Sequence, residues 1–193
     1  MLNDASTPLS LLETRRSGKP RDLVAPGPDA QALRRMVTIA ARTPDHGKLV
    51  PWRFVIVPRK SRPTLAAVLE AALREKEAAP LRGEIEAARR FATQAPALVV
   101  VVSSPKESLK IPAWEQQLSS GAAAMNLLHA AHASGFAGGW VTGWMAYSDA
   151  VARGLGLGAE ERIAGFVFIG TPVLPLEERA RPMLADVLTR WAG

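Results

Sequence analysis

The segment Ala97-Leu98-Val99-Val100-Val101-Val102 constrains the fold more than any other stretch of this chain. Pro96 precedes it and Ser103-Ser104 closes it. Its valines are β-branched and favour a strand. It is far too short to cross a bilayer. A strand that is apolar at every position has no face to offer water, so both of its faces must be covered. The rest of the chain must therefore supply partner strands at its edges and apolar helices above and below.

The flanking sequence supplies both. Residues 8–16 predict a short helix with Pro8 near its start. A Pro/Gly-punctuated connection runs over 17–28, and Asp29 is placed to cap a helix over 30–42. In that helix Leu33, Met36, Val37 and Ala40 share one face. Thr43-Pro44 should end it, because a residue before proline avoids the helical region. Residues 52–57 read as a strand. Helices are expected over 61–79, capped by Ser61, and over 82–93. The strand itself is expected over 97–104. A long helix follows over 112–135, with Gly135 as its C-cap, and its middle, SSGAAAM, is so small that another backbone should approach closely. A Gly-spaced strand and loop follow over 136–145, then a short helix over 148–157. A strand over 161–172 and a terminal helix over 181–193 complete the chain. About four strands among many helices predict an α+β domain, helices on both faces of the sheet, spanning 1–193 without a linker or repeat.

Composition excludes several kinds of chemistry. The 193 residues contain no cysteine, which removes disulfides, thiolate nucleophiles and cysteine-ligated metal centres, and suits a cytoplasmic protein. The N-terminus lacks a basic region followed by an apolar one, so no signal peptide is expected, and no apolar run is long enough for a membrane span. The formal net charge of +6 suits anionic partners. Its arginines are scattered rather than clustered, which argues against nucleic acid. His129 and His132 lie at i, i+3 but gather no third ligand, so no metal site is expected. There is no G-x-S-x-G elbow and no phosphate-cradling P-loop, and Asp45-His46 lacks a nucleophile. The glycines at 135–139 follow a helix and precede a strand, the reverse of a dinucleotide fingerprint.

Three features remain. Arg15-Arg16-Ser17 closes the first helix, where two guanidinium groups beside a hydroxyl could serve a phosphate or simply complement the helix dipole. The loop ARTPDHGKLVPW, 41–52, carries many polar side chains between a helix and a strand. Gly138-Gly139-Trp140-Val141-Thr142-Gly143 flanks one large ring with residues that allow close approach. Each alone is explained by packing or capping; their order along the chain is the specific signal.

With "RRS" at 15–17, "RTPDHGKLVPWRFVIV" at 42–57, "PAWEQQLSSGAAAMNLLHAAHASGFAGGW" at 112–140, "GFVFIGTP" at 165–172 and "RARPMLADVLTRW" at 179–191, the chain resembles the small single-domain branch of the nitroreductase family. The resemblance implies a nitroreductase-like sandwich with a central, mixed, mainly antiparallel sheet of about four to five strands flanked by helices. It implies a homodimer with FMN at the subunit interface, and NADH or NADPH as co-substrate. FMN would carry the chemistry, with no catalytic side chain required, and would pass hydride by a ping-pong mechanism to a small nitro, quinone or related acceptor. Arg15, Arg16 and Ser17 match the N-terminal flavin-binding triplet, with Arg15 the candidate to stabilise charge on the reduced ring. Arg42 and His46 match loop positions that reach the flavin of the other subunit. Trp140, Val141 and Thr142 match the segment beside the isoalloxazine, although relatives tend to carry Trp-Arg-Ser there. Arg181, or Arg179, matches the basic residue that holds the phosphate. A flavin-destructase or dehalogenase-type enzyme of the same fold, a non-catalytic flavin-binding protein, and a basic interaction protein are the alternatives.

Overall fold

The computed structural model describes residues 1–193. The valine-rich segment is strand β3, Ala97–Ser103, and every residue of it is buried. It lies between β2, Trp52–Ile56, and β5, Arg162–Pro172, both antiparallel to it. The far edge of β5 is shared. Strand β4, Ala137–Val141, pairs with residues 166–170, and β1, Leu23–Val24, pairs with Pro172 and Thr171. All pairings in this five-stranded sheet are antiparallel, so the mixed character expected of it reduces to its antiparallel part. β1 fell in what reads as a connection, because two residues between prolines carry no strand pattern; pairing with the end of β5 makes it a strand.

Alternation along β3 builds two cores. Leu98, Val100 and Val102 join a cluster with Leu65, Leu69 and Leu73 of α3 (Arg62–Lys76), Ala88 and Ala92 of α4 (Arg82–Thr93) and Val151 of α6 (Asp149–Gly154). Ala97, Val99 and Val101 face the other way. They pack against Leu33, Met36 and Ala40 of α2 (Ala30–Ala40) and Ala124, Leu127, Leu128 and Ala131 of α5 (Ala113–Ala133). Phe91 of α4 meets Phe166 and Phe168 of β5 edge-on, at 5.1 and 5.2 Å between ring centres. The covering of both faces inferred from six apolar residues is therefore the architecture.

The remaining elements are α1, Pro8–Thr14, and α7, Leu184–Val187. Several boundaries depart from the sequence pattern, three of them for a visible reason. Helix α2 stops at Ala40, before Thr43-Pro44, and the Thr43 hydroxyl donates to the Ala40 carbonyl at 2.9 Å. Ser61 makes no side-chain cap; a single 3-10 turn, Arg59–Ser61, leads into α3 instead. The expected terminal helix over 181–193 is reduced to the four residues of α7, and all of 181–193 is exposed. Without an apolar surface to pack on, its periodic pattern does not propagate.

Candidate functional site

Helix α1 ends in a short turn that carries the first motif. Arg15 leaves the helix at φ −57°, ψ 125°, and its guanidinium donates to the Ser17 hydroxyl at 3.3 Å. The Gly18 N–H then donates to the Gly138 carbonyl at 3.0 Å, which joins the turn to the free edge of β4. Gly139 makes this possible, since a Cβ there would run into the Gly18 carbonyl oxygen. Gly139 thus admits a second backbone, the close approach expected of this segment, while Gly138 makes room for the Leu128 side chain. The first and third motifs meet at this joint.

After β5 the chain folds back across the same turn. The Arg16 guanidinium donates to the Glu177 carbonyl at 2.7 Å and to the Ser17 carbonyl at 3.0 Å. Arg181 reaches the Arg15 carbonyl at 3.4 Å and the Glu178 carboxylate at 2.8 Å. Burial, and then the charges of Arg181, Arg16 and Arg179, hold Arg15 below the usual guanidinium range. His129 on α5 is also lowered, first by burial and then by Arg15. Four arginines and one histidine converge here and outnumber the carboxylates of Glu178 and, along the adjoining cleft, Asp22 and Glu177, so the cluster carries excess positive charge. A cleft of about 120 Å³ runs beside it, lined by Arg16, Ser17, Gly18 and Lys19 on one side and by Leu174–Glu177 on the other.

Lys19 links this cleft to a second one. With Pro20 and Arg21 it also borders a space of about 480 Å³ walled by Phe91 and by Val141, Thr142 and Gly143. Val141 turns its side chain toward the α3–α4 core, whereas Trp140 turns to the opposite face. The Trp140 indole donates to the Ala164 carbonyl at 3.0 Å and lies where a Cβ on Gly165 would be. The far edge of the indole approaches Gly121 of α5. The small-residue middle of α5 accordingly makes room for an indole there, while the Ser120 hydroxyl donates to the Pro51 carbonyl at 2.9 Å.

The loop between α2 and β2 is held by α5, through Glu115, Ser119 and Asn126. Ser119 donates to the Pro44 carbonyl at 2.7 Å and accepts from the Trp52 indole at 3.1 Å. Asn126 donates to the Thr43 hydroxyl at 2.8 Å. Asp45 does not pair with His46. Its two carboxylate oxygens accept the N–H groups of Leu49 and Val50, at 3.1 and 2.8 Å, while His46 Nδ1 meets the Glu115 carboxylate at 2.7 Å. This bracing holds a strained path, with Gly47, Lys48 and Val50 all in the left-handed region at φ 72°, 56° and 51°. Arg42 and the His46 ring remain exposed. None of the loop's hydrogen bonds reaches Arg15–Ser17, so within one chain the second motif stands apart from the other two.

Of the residues singled out from sequence, Arg15, Arg16, Ser17 and Arg181 come together, with Val141 and Thr142 along the adjoining cleft. Trp140 lies on the other side of β4, and Arg42 and His46 lie on the separate loop. Arg16 is occupied by main-chain carbonyls, which leaves Arg15 as the freer guanidinium. Two residues were missed. Lys19 follows the triplet directly as "RRSGK" and could have been found there. His129 reads in sequence as an ordinary half-buried helix histidine. No three His, Asp or Glu side chains converge as a metal-ligand set. No helix is long and apolar enough to cross a membrane.

Residues 12–171 match the model of the Nitroreductase family. The chain is 35% identical over 170 residues to a protein of Escherichia coli strain K12 named "Putative NAD(P)H nitroreductase YdjA", covering 86% of this chain and 88% of that one. It is 36% identical over 174 residues to a relative of the same activity name from Haemophilus influenzae, covering 90% and 92%. Among solved structures it superposes on a nitroreductase-like family protein from Bacillus cereus with a TM-score of 0.80 at 22% identity, over 97% of both chains. A variant of NfnB, described as an FMN and NADPH-dependent nitroreductase from Sphigopyxis sp. strain HMH, superposes with a TM-score of 0.73 at 21% identity, over 94% of this chain and 97% of that one. At those identities the structural likeness establishes the fold alone.

Proposed function

The chain belongs to the nitroreductase family, and from that premise we propose that it is an FMN-dependent NAD(P)H oxidoreductase acting as a homodimer. The observation that carries the proposal is the cationic cluster at the end of α1, joined to the edge of β4 through Gly18 and Gly138. A phosphate dianion is the anion such a donor set suits: guanidinium groups at hydrogen-bonding range of a hydroxyl, in a half-buried place with excess positive charge. The donor chemistry therefore fits FMN.

In this reading Arg15, Ser17 and Arg181 hold the phosphate, with Arg179 close by and Arg16 fixing the arm that carries Arg181. That moves Arg15 from the ring, where the resemblance put it, to the phosphate end, because its neighbours are the other cations. Lys19 replaces it at the ring, since it alone lines both the cleft beside the cationic cluster and the cleft of Val141, Thr142 and Gly143. An ammonium there would favour negative charge on a reduced ring system. Trp140 is buttressed by Ala164 and Gly165 and stiffens the strand that the ring would lie beside. When bound, FMN supplies hydride acceptance from NAD(P)H and hydride donation to a nitro, quinone or related acceptor, in ping-pong order.

The dimer is supported by what the single chain leaves uncovered. The loop bearing Arg42 and His46 is anchored by α5 yet makes no hydrogen bond to the turn of its own chain, and its Arg42 and His46 side chains are exposed, which suits contact with a flavin of the partner. Trp114 and Leu118 on α5, beside that loop, are 66% and 54% exposed. The cysteine-free sequence suits the cytoplasm, and the whole of 1–193 would act as one flavin-binding unit. The test is anaerobic mixing of the FMN-loaded protein with NADH or NADPH, followed by an acceptor. The expected result is flavin bleaching by the nucleotide and recovery of its colour with a nitroaromatic or a quinone. Flavin that neither nucleotide bleaches would refute the assignment, and flavin consumed rather than recycled would favour the destructase alternative.

A further inference from the structure

We propose that Asn3 is the positioning residue of the phosphate-binding turn, an inference that rests on the reading of Arg15–Ser17 given above. The first four residues do not trail away from the chain; they fold back over the end of α1. The Asn3 N–H donates to the Thr14 carbonyl at 3.1 Å, and the Asp4 N–H donates to the Thr14 hydroxyl at 2.9 Å. The Asn3 side chain then grips Arg16 at both of its main-chain polar groups. Oδ1 accepts the Arg16 N–H at 2.7 Å, and Nδ2 donates to the Arg16 carbonyl at 3.1 Å. One amide thus does what a neighbouring strand would do for an extended residue.

Helix α1 has seven residues and no glycine at its C-terminus, so its last turn has no local cap of the usual kind. The strap from the N-terminus provides one across 13 residues of sequence separation. Asparagine is suited to the position twice over. Its backbone sits at φ 55°, a region asparagine enters more readily than most side chains. Its amide offers both a donor and an acceptor, whereas an aspartate would turn an oxygen toward the Arg16 carbonyl. With Arg16 fixed at both main-chain groups, Arg15 points to Ser17 and the cationic cluster while Arg16 points to the Glu177 carbonyl. Releasing the grip lets the turn rotate and disperses the donors that face the phosphate.

The test compares FMN with riboflavin, which has the same ring and no phosphate. Full-length protein freed of bound flavin is titrated with each, following quenching of flavin fluorescence, for the wild type and for Asn3→Asp, Asn3→Ala and Asn3→Gly. The glycine variant keeps the left-handed backbone and lacks only the amide. The alanine and glycine variants lose both hydrogen bonds, while the aspartate variant can keep the one from the Arg16 N–H but sets an oxygen against the Arg16 carbonyl; each should bind FMN about tenfold more weakly, with riboflavin affinity unchanged. The FMN-to-riboflavin preference then falls by the same factor. Unchanged FMN binding, or equal weakening of both flavins, would overturn the positioning role. A wild type that shows no preference for FMN would overturn the phosphate reading and this proposal with it. A wild type that prefers FMN, with variants that keep the preference, would overturn this proposal alone.

Discussion

Arg15 and Arg16 are adjacent and chemically identical, yet the structure gives them different work. Arg15 is half-buried among cations and donates to Ser17, with capacity left for a ligand. Arg16 spends its donors on the carbonyls of Ser17 and Glu177. Replacing Arg15 by alanine should therefore weaken FMN binding by roughly ten- to a hundredfold, the range for a charged hydrogen bond, with little change in melting temperature. Replacing Arg16 should do the reverse in emphasis and lower stability by about 1–2 kcal/mol, two ordinary hydrogen bonds. Fluorescence titration and thermal unfolding of the two variants distinguish them; equal effects on both measures would reject the division of labour. The sequence shows that a basic triplet exists here. It does not show which guanidinium is free, because the partner of Arg16 is a main-chain carbonyl 161 residues away.

Between elements, the joint of α5 with β4 is tied to proton concentration. His132 is 1% exposed, and its Nε2 accepts the Gly138 N–H at 3.2 Å, next to the carbonyl that receives Gly18. Nε2 as acceptor requires the neutral ring with its proton on Nδ1. Burial above all, then the charges of Arg15 and His129, push the imidazole down to about 4. The unfolded chain takes up this proton near its ordinary value of 6.5 and the folded chain does not. Stability should consequently be full above pH 6.5 and decline as pH falls toward 4, by up to about 3 kcal/mol from this residue. Urea unfolding at pH 7 and pH 4.5 measures the decline, and His132→Gln should flatten it; an equal decline in the variant would clear His132. Elements were legible where a pattern and its partner both lie in one chain. Helix α4 occupies the 82–93 of the sequence pattern, and β3 splits its side chains between two cores as an all-apolar strand must. The C-terminal pattern misled because periodicity reports a face that needs burying, and within the chain nothing buries it.

At the scale of the molecule, that unburied face is the main argument for a second copy. Met183, Leu184, Val187, Leu188 and Trp191 are between 62% and 91% exposed, a cost that one chain in water has no means to offset. The fold was legible from the sequence, and the joint between turn and β4 was partly so. The place of Arg42 and His46 was not, since an anchored loop with outward side chains acquires its purpose only beside another surface. The central claim is that two such chains share FMN held by the turn after α1, and one measurement bears on all of it. Purified protein is run on a sizing column with absorbance recorded for protein and, at about 450 nm, for oxidised flavin. The expected result is about one FMN per chain, co-eluting at the mass of two 20.7 kDa chains. A flavin-bound species of single-chain mass would contradict the shared site, and a colourless protein that takes up no added FMN would contradict the account as a whole.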